Sequence, residues 1–112
     1  MFELGVYLLD APEITHLNET YLQHAGPTDV ITFDYCEPTR LAGEIFVCVD
    51  EAKSHARRFR TTWRCELVRY LIHGLLHLRG YNDKRAADRR RMKAEESRLL
   101  GRMTAEFNTA RF

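Results

Sequence analysis

A stretch of eleven residues closes the longest apolar helix that the sequence predicts, and it reads His73-Gly74-Leu75-Leu76-His77-Leu78-Arg79-Gly80-Tyr81-Asn82-Asp83. The helix is predicted to begin near Thr62, because apolar side chains recur from there every three or four positions, as in a core helix. Gly80 is expected to end it. His73 and His77 lie one helical turn apart, so both imidazoles face the same side and can chelate one cation.

A third metal ligand is predicted just beyond this helix, at Asp83. Since Gly80 turns the chain back, the carboxylate can approach the two imidazoles from a third direction and leave one coordination position for water. Taken alone, Asp83 could instead cap the last helix, and the histidines could be partly buried structural residues. Gly74 stands where a helical zinc protease carries its catalytic glutamate, which argues against peptide hydrolysis. It would also let another segment approach the helix closely.

Six further elements surround this helix in the prediction. They are, in chain order, a strand over 2–8, a helix from the cap Asp10 to Gly26-Pro27, strands over Val30–Phe33 and Leu41–Val49, a helix capped by Asp50 and reaching about Phe59, and a helix from about Lys84 to Leu100, before Gly101. The strand that begins at Leu41 is dense enough in apolar residues for a sheet interior. Strand, helix, two strands and three helices predict one α+β domain over residues 1–112.

Composition places the chain among ordinary globular domains. It has 112 residues, of which 45% are hydrophobic and 29% are charged, and charges interrupt every apolar stretch before it reaches the length of a membrane span. The N terminus lacks the pattern of a signal peptide. Three cysteines at wide spacings favour neither a disulfide framework nor a cysteine-based zinc site. We therefore expect a reducing cytoplasm as the compartment and no membrane partner.

The net charge of +1 conceals a strong asymmetry along the chain. Residues 1–50 contain one basic residue and nine acidic ones, whereas residues 51–103 contain fifteen basic and six acidic residues. Such a division can create a basic face for an anionic polymer. Composition alone favours the simpler alternative, in which the basic residues solvate outer helix faces. His55 is likewise interpreted as a solvated helix histidine.

Three motifs occur in an order that matches one known family. The quoted stretch fits the pattern His-Gly-x-Leu-His-Leu-x-Gly-Tyr-Asp-His at His73, Gly74, Leu76, His77, Leu78, Gly80 and Tyr81. The other two motifs are Leu17-Asn18-x-x-Tyr21 followed by Pro27-Thr28-Asp29-Val30-Ile31-Thr32-Phe33, and Gly43-Glu44-Ile45; Met92-x-x-Glu95 is similar to a pair on the family's last helix. Over about residues 17–100 the chain thus resembles the YbeY family of rRNA maturation factors.

The resemblance implies a metal-dependent endoribonuclease that cleaves single-stranded RNA in 16S rRNA 3′-end maturation and in ribosome quality control. It implies a small mixed β-sheet packed with helices, with a zincin-like helix that presents the metal ligands. One Zn²⁺ per chain, held by His73, His77 and Asp83, would lower the pKa of a bound water that attacks the phosphodiester. The implied partners are single-stranded rRNA and the small ribosomal subunit with its associated proteins.

The chain departs from the family pattern at three places. Asp83 replaces the usual histidine, so that iron or manganese also becomes a candidate for the metal. Leu22 replaces an arginine that follows the tyrosine of the second motif in many members, so another basic residue must stabilise the phosphate, with Arg79, Arg64 and Lys84 as candidates. The strand and helix with which the family usually begins are missing, which suggests a short version.

These departures keep two other functions open. A non-catalytic factor that binds rRNA or the ribosome would use the metal only as a structural element, and the leucine at position 22 favours it. A metalloprotease is the second alternative, which the glycine at position 74 disfavours.

Overall fold

The computed structural model describes the backbone of residues 2–107 and the side chains of residues 2–103. Its elements are β1 Phe2–Leu9, α1 Ala11–Leu17, a π-helical turn Asn18–Leu22, β2 Val30–Asp34, β3 Leu41–Cys48, α2 Val49–Phe59, α3 Trp63–Leu78 and α4 Ala86–Phe107. This order confirms the predicted α+β class. The single domain over residues 1–112 stays a prediction, because positions 1 and 108–112 lie outside the described part of the chain.

The three strands form a mixed sheet with β3 in the centre. β1 pairs with β3 in parallel and β2 pairs with it in antiparallel orientation. Along β3, Ile45 and Val47 pack on one side of the sheet, whereas Phe46 and Cys48 pack on the other, as the two-residue period of a strand requires. Both faces of β3 are therefore covered, which confirms the prediction of an interior strand.

Helix α3 lies between the sheet and α4. Toward the sheet, Leu67 and Leu78 of α3 join Ile45 and Val47 in one hydrophobic cluster. On its other side, a second cluster joins its residues to α4; its buried members are Ile72, Leu76, Met92 and Leu100. Helix α1 covers the opposite face of the sheet through Ile14. This packing holds the helix that bears the two histidines on both sides.

Gly74 brings α3 unusually close to the sheet. A Cβ atom at this position would lie 3.0 Å from both the Ile45 side chain and the Thr32 Oγ1 atom, tighter than ordinary van der Waals contact. The prediction that Gly74 permits close approach of another segment is confirmed. Because His73 precedes Gly74 directly and His77 lies one turn later, this contact also sets how near both histidines lie to β2.

The C-terminal end of α3 forms a Schellman motif. Gly80 adopts a φ of +98°, its N–H donates to the His77 carbonyl at 3.0 Å, and the Tyr81 N–H donates to the Leu76 carbonyl at 3.0 Å. Tyr81 then packs against the cluster between α3 and α4. Gly80 therefore ends the helix as predicted and sends the following loop back toward the histidines.

The boundaries of three predicted helices differ in the structure. The first helical segment ends with the π-helical turn at Leu22, where Gln23 adopts a left-handed conformation, and does not continue to Gly26-Pro27. Cys48, and not Asp50, is the N-cap residue of α2, because Asp50 lies within the first helical turn and its Oδ2 accepts a hydrogen bond from the Ala11 N–H at 2.7 Å. Helix α4 begins at Ala86 and continues through Gly101 to Phe107. Packing of Leu100 and Met103 against α3 maintains the helix past a glycine that costs only about 1 kcal/mol.

Within the described part of the chain, no helix is both long enough and apolar enough to cross a bilayer. Cys36, Cys48 and Cys65 are free thiols.

Candidate metal centre

The structure brings the three predicted ligands together. The Nε2 atoms of His73 and His77 lie 3.2 Å apart, and the Asp83 Oδ2 atom lies 3.9 Å from the first and 3.7 Å from the second. A triangle with these sides has its centre about 2.1 Å from each corner, within the usual distances of about 2.0–2.2 Å between Zn²⁺ and its nitrogen or oxygen ligands. The three side chains therefore form a group that could hold a metal ion.

The orientation of His73 is set by a buried carboxylate on α4. The His73 Nδ1 atom lies 2.8 Å from Glu96 Oε2, and Glu96 is only 7% exposed. An ionised carboxylate can only accept, so the proton is on Nδ1 and the Nε2 lone pair points at the candidate ion. Arg69 Nη1 donates to the other oxygen of Glu96 at 3.2 Å. Arg69, Glu96 and His73 thus form a continuous chain of hydrogen bonds behind the ligand.

The local electrostatics differ between the two histidines. The hydrogen bond to Glu96 raises the pKa of His73 above its ordinary value, although burial opposes it. Burial lowers the pKa of His77, and the neighbouring His73 lowers it further, while a backbone hydrogen bond with Tyr81 acts in the other direction. Burial opposes ionisation of Glu96, yet the hydrogen bonds from His73 and Arg69 outweigh it and lower its pKa. Glu96 is therefore an anion at neutral pH.

Glu96 was not predicted as a functional residue; the motif noted on this helix was Met92-x-x-Glu95. Glu95 pairs with Arg98 and does not face His73 in the structure. A usable signal was present, because Met92, Glu96 and Leu100 recur at intervals of four and form the buried stripe of α4. A carboxylate within such an apolar stripe requires hydrogen-bond donors, which here are His73 and Arg69.

Two clefts meet at the candidate metal centre. The larger has a volume of about 670 Å³ and extends from His73 and Asp83 between α2, α3 and α4. The smaller, of about 440 Å³, lies beside β2 and contains His73, His77 and Asp83. Side chains of the three ligands are 28%, 30% and 49% exposed, so a ligand could reach them from the solvent. The site is therefore accessible from two sides.

The clefts differ in charge. Arg69, Arg89 and Lys93 line the larger cleft. Asp29 lines both clefts, and Glu66 and Glu96 also line the larger one. The smaller cleft adds Asp34 and, within residues 2–103, has no lysine or arginine in its lining; Leu22 lies there, at the position where the resemblance implies an arginine in many members. The basic residues that the structure places near the ligands are thus on the side of α4.

The basic residues proposed from the sequence lie elsewhere. Among the described residues, the lining of these two clefts includes none of Arg79, Arg64 and Lys84. Arg64 lies over the ring of Trp63, 5.1 Å from its centroid. Their role in RNA binding stays a prediction.

His55 is not a solvated histidine, in contrast to the prediction. It is half-buried, its Nδ1 atom lies 3.1 Å from the Tyr70 hydroxyl, and it lines the larger cleft. The pairing joins α2 to α3, over 15 residues of sequence, which helical periodicity within α2 alone does not indicate.

Comparison with known proteins gives consistent matches. The model of the family described as Endoribonuclease YbeY matches residues 1–104. The Endoribonuclease YbeY of Bacteroides fragilis is 42% identical over 98 residues, which are 88% of this chain and 70% of that protein. The one from Chlorobium luteolum is 45% identical over 84 residues, which are 75% of this chain and 61% of that protein.

A solved structure agrees with these matches. The solution structure of TM1509 from Thermotoga maritima aligns with a TM-score of 0.71 at 32% identity, over 95% of this chain and 71% of that protein. The similarity extends over both the sheet and the helix that carries the two histidines, since only a small part of the chain is left out. On the strength of its sequence and its fold, this chain belongs to the endoribonuclease YbeY family.

Proposed function

We propose that this chain is a zinc-dependent endoribonuclease that cleaves single-stranded RNA, acting in the cytoplasm on the 3′ end of 16S rRNA and in ribosome quality control. Family membership makes the chain an RNA-cleaving hydrolase, as the resemblance implied. The identity of the metal, the single-stranded substrate, and the small ribosomal subunit with its proteins as partners belong to the proposal.

One observation carries the metal-dependent chemistry. The imidazole nitrogens of His73 and His77 and a carboxylate oxygen of Asp83 surround a point at ion-binding distance, and the tautomer of His73 is set by Glu96. Two nitrogen ligands and one oxygen ligand suit zinc, and they also suit iron or manganese. A bound zinc ion would supply a Lewis acid that polarises a phosphoryl oxygen and makes a water molecule more acidic.

The remaining groups of the site are suited to hold an RNA phosphate. Arg89 and Lys93 line the larger cleft next to the ligands, and their positive charge offsets the negative charge that grows on the phosphate during cleavage. Arg69 is engaged with Glu96 and therefore acts on the orientation of His73. Leu22 contributes no charge. Arg89 and Lys93 of α4 would therefore stabilise the phosphate in place of the arginine that the resemblance implies at that position in many members.

The alternative of a purely structural metal is less consistent with the site. A structural zinc is usually enclosed by four protein ligands, whereas residues 2–103 supply a group of three that opens to two clefts. The metalloprotease alternative lacks a glutamate at position 74, where even an added Cβ atom would lie 3.0 Å from the Ile45 side chain.

Metal analysis combined with RNA cleavage tests the proposal. Purified wild-type protein and His77→Ala are compared for zinc content and for cleavage of a single-stranded fragment of 16S rRNA and of the same sequence in a duplex. We expect about one zinc per wild-type chain, loss of most metal in the variant, and cleavage that requires both metal and a single strand.

A second histidine variant serves as the control. His24→Ala removes an exposed histidine that lies outside both clefts, and it should keep zinc and activity. Equal cleavage by wild type and His77→Ala would refute the metal mechanism. A wild-type protein that binds RNA and zinc without cleaving RNA would favour the non-catalytic factor.

A further inference from the structure

The two ends of the larger cleft are lined by different kinds of side chain. At one end it contains the metal ligands His73 and Asp83, and at the other end it contains the rings of His55, Phe59 and Tyr70. Tyr70 precedes His73 by three residues in α3, a rise of about 4.5 Å along the helix. A volume of about 670 Å³ falls in the range of pockets that take small molecules, and it exceeds what an ion and a phosphate require.

Phe59 is the accessible ring at the far end. It is 63% exposed, although it lines the cleft. Its ring meets His55 edge-on at a centroid distance of 5.8 Å, and His55 meets the buried Tyr70 at 6.1 Å and bonds its hydroxyl. The buried tyrosine therefore supports the histidine, which in turn supports Phe59. The Arg58 guanidinium lies over one face of the Phe59 ring, 5.7 Å from its centroid, and adds a positive charge there.

The lining between the two ends has basic side chains on α4 and acidic side chains that already accept hydrogen bonds. Among the acidic ones, Asp29 accepts from the Val30 N–H at 2.8 Å. Glu96 is neutralised by His73 and Arg69, and Glu66 accepts a hydrogen bond from the Thr61 hydroxyl at 2.7 Å. Lys93 lies one turn after Arg89 on α4, and both line the cleft. The side chain of Arg89 donates to the carbonyls of Asp83 and Lys84, so its charge is held beside a metal ligand.

We propose that the larger cleft is a nucleotide subsite, in which an unpaired base stacks on Phe59 while Lys93 and Arg89 contact the phosphate that joins this nucleotide to the cleavage site. This inference rests on the proposed endoribonuclease function and adds the position of the substrate. Stacking on an aromatic ring is tolerant of sequence, because every base has a π-face. A base within a duplex cannot leave its partner to reach Phe59 without loss of pairing, so the subsite selects single strands.

RNA binding by Phe59 variants tests this assignment. Fluorescence anisotropy at low temperature measures the affinity of the zinc-loaded full chain for a labelled single-stranded oligoribonucleotide. Gel electrophoresis verifies that the RNA stays intact during the measurement. Phe59→Ala should weaken binding by about 5- to 150-fold, the range that corresponds to the loss of one stacked base. Phe59→Trp should bind at least as well as wild type, because it keeps a stacking surface. Phe2→Ala, an exposed phenylalanine on β1, is the matched control and should bind like wild type.

A base-deletion series identifies the stacked nucleotide. A single abasic nucleotide is moved through the oligoribonucleotide, and one position should weaken binding to wild type about as much as Phe59→Ala does. At that position Phe59→Ala should lose no further affinity, since the ring and the base act as one pair. In parallel, Lys93→Ala should lower the slope of log affinity against log salt by about 1, whereas Lys53→Ala, which lies over Trp63, should not.

The outcomes separate this inference from the proposed function. If wild type cleaves RNA while Phe59→Ala binds within two-fold of wild type and the abasic series is flat, the subsite is refuted and the endoribonuclease remains. If wild type neither binds nor cleaves RNA, both proposals fail. Circular dichroism of each variant verifies the fold, which an exposed side chain should not affect.

Discussion

The Nδ1 atom of His73 lies 2.8 Å from the Oε2 atom of Glu96, which comes from a different helix, 23 residues further along the chain. This contact leaves the Nε2 lone pair of His73 directed at His77 and Asp83. Carboxylates that bind the second nitrogen of a ligand histidine commonly set its tautomer and raise its basicity. The contact therefore links the packing of α4 to the properties of the candidate metal centre.

Substitution Glu96→Gln should weaken zinc binding by about 10- to 100-fold, because the neutral amide no longer holds the protonated Nδ1 by charge. Zinc affinity is measured by competition with a chromogenic chelator. Glu95→Gln is the control, since Glu95 pairs with Arg98 at the surface, and it should bind zinc like wild type. Equal affinity of Glu96→Gln and wild type would show that Glu96 has only a packing role.

Substitution Asp83→Ala should reduce zinc affinity by more than the 10- to 100-fold typical of an outer partner, because it removes one of the three candidate ligands. Asp83→His should retain zinc and lower the affinity for manganese relative to zinc, since a third imidazole is a softer ligand than a carboxylate. Both metals are titrated into each variant and followed by calorimetry. Asp88→Ala, in the first turn of α4, should leave both affinities unchanged. If Asp83→Ala binds zinc normally, Asp83 is not a ligand.

Substitution Gly74→Ala should lower the free energy of unfolding by about 1–3 kcal/mol, because the new methyl group meets Ile45 and Thr32 at 3.0 Å. Denaturant unfolding in one buffer measures the change. Gly101→Ala provides the opposite case, since nothing lies within 4 Å of its added Cβ in α4, and it should stabilise the chain by roughly 0.5–1 kcal/mol. A neutral or stabilising Gly74→Ala would mean that α3 can move away from the sheet at little cost.

The free energy of unfolding should decrease at alkaline pH, because the hydroxyl of Tyr70 is buried and resists ionisation in the folded chain. Burial raises the pKa of Tyr70 above its ordinary value of 10.0, and the negative charges of Asp29 and Glu66 raise it further. The protonated tyrosine therefore contributes stability that is fully present below pH 10 and is lost as the pH rises through the folded-state pKa. The free energy of unfolding, measured at a series of alkaline pH values, should fall above pH 10.

Substitution Tyr70→Phe should remove this part of the alkaline slope, although it also leaves His55 without its hydroxyl partner. Tyr21→Phe removes a hydroxyl from a residue that is 65% exposed and should keep the wild-type slope. An identical slope in Tyr70→Phe and wild type would assign the alkaline loss to other groups.

Features that depend on neighbours a few residues away were predictable from the sequence. The spacing of His73 and His77, the turn at Gly80 and the capping box of Asp10 with Glu13 all follow from local geometry, and the structure contains each of them. The end of α4 was not predictable in this way, because packing against α3 outweighs the weak preference of Gly101 to end a helix.

Only the tertiary structure decided which side chains surround the candidate metal centre. The contact of Glu96 with His73 spans 23 residues and that of His55 with Tyr70 spans 15. The four-residue spacing of Met92, Glu96 and Leu100 indicates that Glu96 is buried, but it does not identify His73 as its partner. A helix period specifies which residues share a face, whereas the partner of that face depends on how the sheet and helices pack. The sequence by itself determined the ligand-bearing helix and its turn, and the packing of α2 and α4 on α3 determined the carboxylate behind His73 and the cleft beside it.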